Sequence, residues 1–303
     1  MKTSATAMGA AAILLWSLMV GLMRLTTEAF GAQLGPVLVY AAGAAMLFAV
    51  HRPTPLGQVP RSFLLGCGAL FVLYEVFLSL AVGLSAGGTQ TIQVSMLNYL
   101  WPTLTMLMWA LMSGPGRVSS LLKALPGALL AAAGMVLTVG GDSVLAGAPL
   151  LGGAGADPLP YALALGAAVI WAVYSNLASR CAGSSNATAY FFVGVAALLL
   201  ATYIAAGAPA PPRPLGLAGV VPMLLCAASM AAGYALWNRA AAVGDMGRIA
   251  VVSYFAPVLS SAMSSVLLQT LPGPAFWAGV ALVAAGSVLG WFLVGRKQGK
   301  QTS

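Results

Sequence analysis

The sequence has 303 residues, of which 60% are hydrophobic and only 6% are charged. Its mean hydropathy is +0.95, whereas soluble domains carry roughly 25% charged residues. This composition excludes a water-soluble globule and predicts an all-α integral membrane protein.

Stretches of about 20 apolar residues predict helices that cross a bilayer. Ten such spans lie between breaks that are rich in Pro and Gly. In chain order they cover residues 6–26, 34–50, 62–83, 89–112, 122–140, 159–180, 187–206, 216–238, 247–269 and 274–295.

The positions of the basic residues predict the orientation. With ten spans and a cytoplasmic N-terminus, only Arg24 and Arg213 fall on the outer side. The other eleven fall inside: Lys2, Arg52, Arg61, Arg117, Lys123, Arg180, Arg239, Arg248, Arg296, Lys297 and Lys300. The positive-inside rule therefore predicts a multi-pass protein of the cytoplasmic membrane with both termini in the cytoplasm. The net charge of +8 is thus a topology signal, and no nucleic-acid partner is expected.

The two halves of the chain repeat one another. Trp171 follows Trp16 by 171 − 16 = 155 residues, and the stretch SYFAP (253–257) follows NYLWP (98–102) at the same offset. GALLAAAGMVL (127–137) and GVALVAAGSVL (279–289) match at seven of eleven positions. Five spans per half invert the second half, which is typical of secondary transporters with a solute site between the halves. The alternative is an unrelated bundle whose Ala- and Gly-rich helices align by composition.

These matches predict a first repeat at residues 1–146, a second, inverted repeat at 156–297 and a basic cytoplasmic tail at 298–303. The glycines of the fifth and tenth spans, seven residues apart in each, favour close helix packing, either within the chain or at an intersubunit surface. They are Gly127, Gly134, Gly279 and Gly286.

Several motifs carry a family resemblance. WSLMVGLMR (16–24), NYLWPTLTMLMWALM (98–112) and SYFAPVLSSAMSSVLL (253–268) resemble the drug/metabolite transporter superfamily, EamA type. The resemblance covers almost the whole chain, and within the superfamily it is greatest to bacterial aromatic amino acid exporters. It implies a secondary transporter of the bacterial inner membrane that works by alternating access.

Pro102 lacks an N–H and frees the carbonyl of Asn98 inside the fourth span. In the ninth span Pro257 likewise frees the carbonyl of Ser253. An unpaired carbonyl in hydrocarbon must face protein, water or a ligand. We expect both prolines to act as helix kinks that shape or gate a cavity. A packing kink satisfied by neighbouring helices is the alternative.

Glu75 is the only acidic residue at mid-span, where acids usually face a bundle interior or a water-filled cavity. Tyr74 is its neighbour, and Ser79 lies four residues on, on the same helix face. Three roles stay open for Glu75: it attracts a substrate ammonium group, carries a coupling proton, or is a protonated structural acid bonded between helices.

Aromatic residues gather at similar depth, where their faces suit apolar side chains and organic cations. An interfacial aromatic belt is the alternative, and it fits Trp237, Trp277 and Trp291 near the span ends. The predicted substrate-binding residues are Trp16, Tyr74, Glu75, Ser79, Asn98, Tyr99, Trp101, Trp171, Tyr234 and Tyr254.

The resulting prediction is an exporter of amino acids, with aromatic or apolar side chains favoured. The alternatives are an exporter of drugs, organic cations or another small metabolite and, more remotely, an intramembrane enzyme or sensor. The sequence has no ATP-binding or hydrolase motif. No enzymatic activity, catalytic residue, metal or cofactor is expected, and the expected partners are a small solute and membrane lipid. The oligomeric state is left open, a monomer included.

Overall fold

The computed structural model describes residues 2–50, 53–111, 117–145, 157–181, 186–214, 216–243 and 255–295. Within these ranges the protein is all-helical and has no β-strand. The α-helices are α1 (Lys2–Phe30), α2 (Leu34–Val50), α3 (Gly68–Gly83), α4 (Gly88–Asn98), α5 (Trp101–Leu111), α6 (Arg117–Leu145), α7 (Leu159–Cys181), α8 (Thr188–Ala205), α9 (Leu217–Val243), α10 (Ala256–Leu267) and α11 (Pro274–Gly295).

Seven of these helices are long and apolar enough to cross a membrane: α1, α3, α6, α7, α8, α9 and α11. The third reaches that length because a π-helical turn, Ser62–Cys67, runs directly into α3. α2, with 17 residues, and α10, with 12, are apolar but shorter. Each of the ten predicted spans contains helix in the described part of the chain, although residues 247–254 of the ninth span lie outside that part.

The fourth predicted span is not one continuous helix. α4 ends at Asn98 and α5 begins at Trp101, so Tyr99 and Leu100 form a turn inside the span. Proline is tolerated in the first turn of a helix, where its missing N–H has no intrahelical partner to lose. Pro102 is the second residue of α5 for this reason, and Pro257 is likewise the second residue of α10.

α6 and α11 pack together closely and antiparallel, through their glycines. A Cβ atom placed on Gly127 would lie 2.5 Å from the carbonyl oxygen of Gly286, and one on Gly134 would lie 2.6 Å from that of Gly279. No side chain fits at such distances, so the backbones touch. The glycine faces are therefore used within the chain, which contradicts the alternative of an intersubunit surface for them.

Three further helix pairs connect the two halves of the sequence. α1 packs on α9, α3 on α7, and α2 on α8. Tyr40 of α2, Phe71 of α3 and Phe192 of α8 are almost fully buried in the core that joins them. These helices surround the buried acid that the sequence singles out.

Candidate functional site

The candidate site is built around Glu75, whose side chain lies in the protein interior and is 1% exposed. The Tyr40 hydroxyl of α2 donates a hydrogen bond of 2.6 Å to one carboxyl oxygen. The Tyr234 hydroxyl of α9 donates one of 2.6 Å to the other oxygen. A carboxyl group thus joins three helices, one of which belongs to the second half of the sequence.

The arrangement follows from the face that α3 buries. Phe71, Glu75, Leu78, Ser79 and Val82 are buried at helical spacing, which turns this side of α3 towards the core. A buried carboxyl group is tolerated when hydrogen-bond donors satisfy its oxygens. The two tyrosines supply one donor to each oxygen, and both partners are on other helices.

A cavity of about 10 Å³ lies beside the carboxyl group, with Met19, Met23, Tyr40 and Ser79 among its lining residues. That volume holds about one water molecule. It is far too small for an amino acid, so the surrounding helices have to move apart before a solute can reach Glu75.

A first aromatic cluster lies between α1 and α9. The Trp16 ring is 5.0 Å from that of Tyr234 and 5.4 Å from that of Trp237, measured between ring centroids. A Cβ on Gly233 would lie 2.5 Å from Trp16 Nε1, so the indole packs against the α9 backbone. The indole N–H is buried and makes no hydrogen bond.

A second aromatic cluster surrounds Trp171 of α7. Its ring lies 4.4 Å from Tyr74, 4.9 Å from Tyr174 and 6.3 Å from Trp101, again between centroids. Phe71 connects the two clusters, because its ring is 5.7 Å from Tyr174 and 5.4 Å from Tyr234. Together the clusters give the carboxyl group an aromatic surrounding.

The α4–α5 turn brings polar groups to the same region. Asn98 is 7% exposed, and its Nδ2 donates to the Tyr74 hydroxyl at 3.3 Å. Its Oδ1 is buried without a hydrogen-bond partner. Tyr99, the next residue, faces Ser260 of α10.

The predicted site residues therefore separate into groups. Contacts on α1, α3, α4, α5, α7 and α9 connect the largest group: Trp16, Tyr74, Glu75, Ser79, Asn98, Trp101, Trp171 and Tyr234. Tyr99 lies next to Ser260 of α10. Tyr254 lies outside the described residues.

Sequence reasoning missed Tyr40, Phe71 and Tyr174. Tyr40 had a usable signal, since it is a hydroxyl-bearing aromatic at the middle of an otherwise apolar span. Phe71 lies four residues before Glu75 and hence on its face of α3. Trp237, which the belt interpretation also fits, has its ring centroid 5.4 Å from that of Trp16 and so adjoins the first aromatic cluster.

An ion-pair cluster lies at the end of α1. Arg24 Nε bonds to Glu28 at 2.9 Å, and an Nη atom of the same side chain donates to the Ser85 carbonyl at 2.5 Å. Arg213, in the α8–α9 connection, reaches the other oxygen of Glu28 at 3.4 Å. The cluster joins α1 to the carboxyl end of α3 and to a loop of the second half.

Among the described residues, no group of three or more His, Cys, Asp or Glu side chains is placed to hold a metal ion. The site offers one carboxyl group, several hydroxyls, an amide and aromatic faces. Such a set can bind an amphipathic solute by charge, hydrogen bonds and ring contacts.

Apolar helices of membrane-spanning length around a buried polar site define a polytopic membrane protein. Comparison with known proteins gives the family: the model of the EamA-like transporter family matches residues 158–292. Two relatives named aromatic amino acid exporter YddG match almost end to end. That of Escherichia coli K12 is 36% identical over 97% of this chain and 99% of its own length. That of Salmonella typhimurium 14028s is 34% identical over 97% and 98%.

More distant matches have the same extent. The aromatic amino acid exporter YddG of Ancylobacter novellus is 29% identical over 97% of this chain. A solved crystal structure aligns with 98% of this chain and 99% of its own, at 26% identity and a TM-score of 0.56. The chain therefore belongs to the EamA-like transporter family.

Proposed function

We propose that this protein exports amino acids, with aromatic or apolar side chains favoured, across the bacterial cytoplasmic membrane. The observation that carries the proposal is Glu75, a buried carboxyl group held by Tyr40 and Tyr234 between two aromatic clusters. A carboxylate attracts an ammonium group, and aromatic faces bind an apolar or aromatic side chain. The names of the relatives agree with this solute class.

Transport proceeds by alternating access between two inverted halves, residues 1–146 and 156–297. If spans one to five correspond to six to ten, the pairs α1–α9 and α3–α7 are equivalent, and both occur. Smaller contacts follow the same rule. Gly83 packs on Ala32, and Asn238 bonds Thr188 at 3.2 Å; the offsets are 238 − 83 = 155 and 188 − 32 = 156.

Both termini face the cytoplasm in the proposed orientation, because eleven of the thirteen basic residues then lie inside. Thr54 and Asn186 connect two inner loops through hydrogen bonds of 3.0 and 2.9 Å. Arg24, Glu28 and Arg213 connect outer segments. Because both sides are tied and the cavity at Glu75 is small, the described conformation is closed around the site.

The predicted residues take different roles in this proposal. Glu75 binds the ammonium group, while Ser79 and Asn98 supply polar contacts. The aromatic contacts come from Trp16, Tyr74, Trp101, Trp171 and Tyr234. Tyr99 and Tyr254 occupy equivalent positions at the α4–α5 turn and before α10, and Pro102 and Pro257 mark the helix starts at which the walls flex. The tail 298–303 takes no part in binding, and the protein leaves its solute chemically unchanged.

Counterflow in proteoliposomes tests the proposal. Vesicles preloaded with unlabelled phenylalanine should accumulate labelled phenylalanine, and tryptophan, tyrosine and leucine outside should compete with it. Protein-free vesicles correct for leak. Indifference to every amino acid in the panel would rule out the proposed solute class.

Organic cations are the second candidate, favoured by the same carboxyl group among aromatic rings. The two candidate functions differ in the binding groups that they require, because an exporter of organic cations needs no group that binds a solute carboxylate. Amines that lack the carboxylate should then compete as well as, or better than, the matching amino acids in the same assay.

A further inference from the structure

α10 presents a row of serines to the helix bundle. Ser260, Ser261, Ser264 and Ser265 are buried, and the first three are 0% exposed. The helix packs on α1 and α4. A Cβ on Gly21 of α1 would lie 3.4 Å from Cα of Ser264, so the two backbones approach closely there.

Two of these serines differ from the other buried hydroxyls of the bundle. A buried Ser or Thr in a helix commonly bonds the carbonyl three or four residues back. In the described helices Ser17, Thr26, Ser265 and Ser287 make such a bond, with distances of 2.7–3.0 Å.

Ser260 and Ser264 have no such bond. The Ser260 hydroxyl faces that of Tyr99 without forming a hydrogen bond of good geometry, and that of Ser264 has no partner. Unsatisfied buried hydroxyls lower stability. They persist more readily where another state of the protein satisfies them, and a transporter has such a state when its path opens.

A line of polar groups leads from Glu75 to these serines. Tyr74, next to Glu75, accepts a hydrogen bond from Asn98 of α4. Tyr99 follows Asn98 and faces Ser260 of α10. The buried Oδ1 of Asn98 is also unpartnered in this conformation. Polar groups without hydrogen-bond partners thus occur on α4, at Asn98, and on α10, at Ser260 and Ser264.

The proposed solute has a charge that Glu75 cannot bind. An amino acid carries a carboxylate, and each Lys or Arg within a predicted span stands within two residues of that span's end. Arg24 is already bonded to Glu28 and to the Ser85 carbonyl. Neutral donors therefore have to receive the carboxylate at mid-membrane, and hydroxyl groups are suitable donors.

We propose that Ser260 and Ser264 form a second station on the transport path, which binds the carboxylate of the transported amino acid. This inference rests on the proposed function. The hydroxyls lie four residues apart on one face of α10. The station lies on the α10 side of the α4–α5 turn, and Glu75 lies on the α3 side.

The test compares a solute that has the carboxylate with one that lacks it. Labelled phenylalanine counterflow is measured for the wild type and for Ser260→Ala/Ser264→Ala, with phenethylamine as the competitor that lacks a carboxylate. Ser265→Ala is the matched control, since its hydroxyl bonds its own helix. The double variant should raise the KM for phenylalanine at least tenfold and leave the inhibition constant of phenethylamine within twofold.

Thermal unfolding in detergent supplies a second reading. Because Ser264→Ala removes a buried hydroxyl without a partner, this variant should unfold at the same or a higher temperature than the wild type. A KM increase in a stably folded variant then reports binding. Unchanged phenylalanine kinetics, an equal change for both solutes, or the same change in Ser265→Ala would overturn the station. Wild-type vesicles that accumulate no amino acid would overturn the proposed function itself.

Discussion

Glu75→Gln separates the charge of Glu75 from its place in the packing. Glutamine has nearly the same shape, with one acceptor oxygen and one NH2 donor. Tyr40 and Tyr234 now both donate to the carboxyl group. In the variant one tyrosine keeps donating, and the other can accept a hydrogen bond from the amide. The number of hydrogen bonds is conserved, so we expect the free energy of unfolding to change by no more than about 1 kcal/mol.

The effect on transport should be larger. A hydrogen bond to a charged group contributes about 1.5–3 kcal/mol, against about 0.5–1.5 kcal/mol for a neutral one. Losing the charge opposite an ammonium group should therefore weaken binding by about 1–2 kcal/mol, which raises the KM by about 5–30-fold.

The assay is phenylalanine counterflow with N-acetylphenylalanine as competitor, because acetylation removes the ammonium charge. Glu75→Gln should raise the KM for phenylalanine and should not raise the inhibition constant of the acetylated compound. Asp157→Asn is the control, since Asp157 is an acid before α7 whose side chain accepts a local hydrogen bond from the Leu159 N–H. Uptake is measured with and without a pH gradient, and loss of the gradient's effect alone would assign Glu75 to proton coupling. If neither the KM nor the pH response changes, Glu75 is structural.

Three further substitutions have outcomes that can be measured directly. Gly134→Ala places a methyl group against the α11 backbone and should lower the free energy of unfolding by about 1–3 kcal/mol. Gly66→Ala is the control and should not lower it, because a Cβ on Gly66 would have no atom within 4 Å. Equal melting temperatures for the two variants would contradict the close packing. Arg24→Ala removes hydrogen bonds from a charged guanidinium to the end of α3 and should lower the melting temperature by several degrees. An unchanged melting temperature would show that solvent replaces these hydrogen bonds. Tyr99→Ala should impair phenylalanine counterflow while the protein still elutes as a folded species; wild-type kinetics would remove Tyr99 from the site.

Hydropathy was sufficient to predict where most of the helices lie, because a segment in lipid must form its backbone hydrogen bonds within one helix. It could not predict that α4 and α5 are separate helices. Pro102 indicated a disturbance, but only the hydrogen bonds around Tyr99 and Leu100 decide between a kink and a full break. The glycine spacing in the fifth and tenth spans indicated close packing and could not name the partner helix.

The site was predictable where a residue is unusual by itself. Glu75 stands out in an apolar span, whereas its partner Tyr40 is an ordinary membrane residue until α2 and α3 are packed together. Trp237 depends on packing in the same way, since its position near a span end gave no sign of its contact with Trp16. The hydroxyl orientations of Ser260 and Ser264 depend on rotamers and neighbours, which no sequence pattern contains.

The ion pair at the end of α1 has a consequence for the resting state of the proposed carrier. Two equivalent inverted halves would give inward-open and outward-open forms of equal energy. Arg24 and Glu28 break that balance through their bonds to the Ser85 carbonyl and to Arg213, which tie outer segments together. The residues 155 positions later are Ser179 and Gly183, which cannot supply such charged contacts on the inner side. A difference of about 1–2 kcal/mol in favour of outer closure corresponds to about 5–30 times more protein open to the cytoplasm. The empty carrier would then be open mostly to the cytoplasm, the side from which an exporter takes up its solute. The solute gradient alone still sets the direction of net flux.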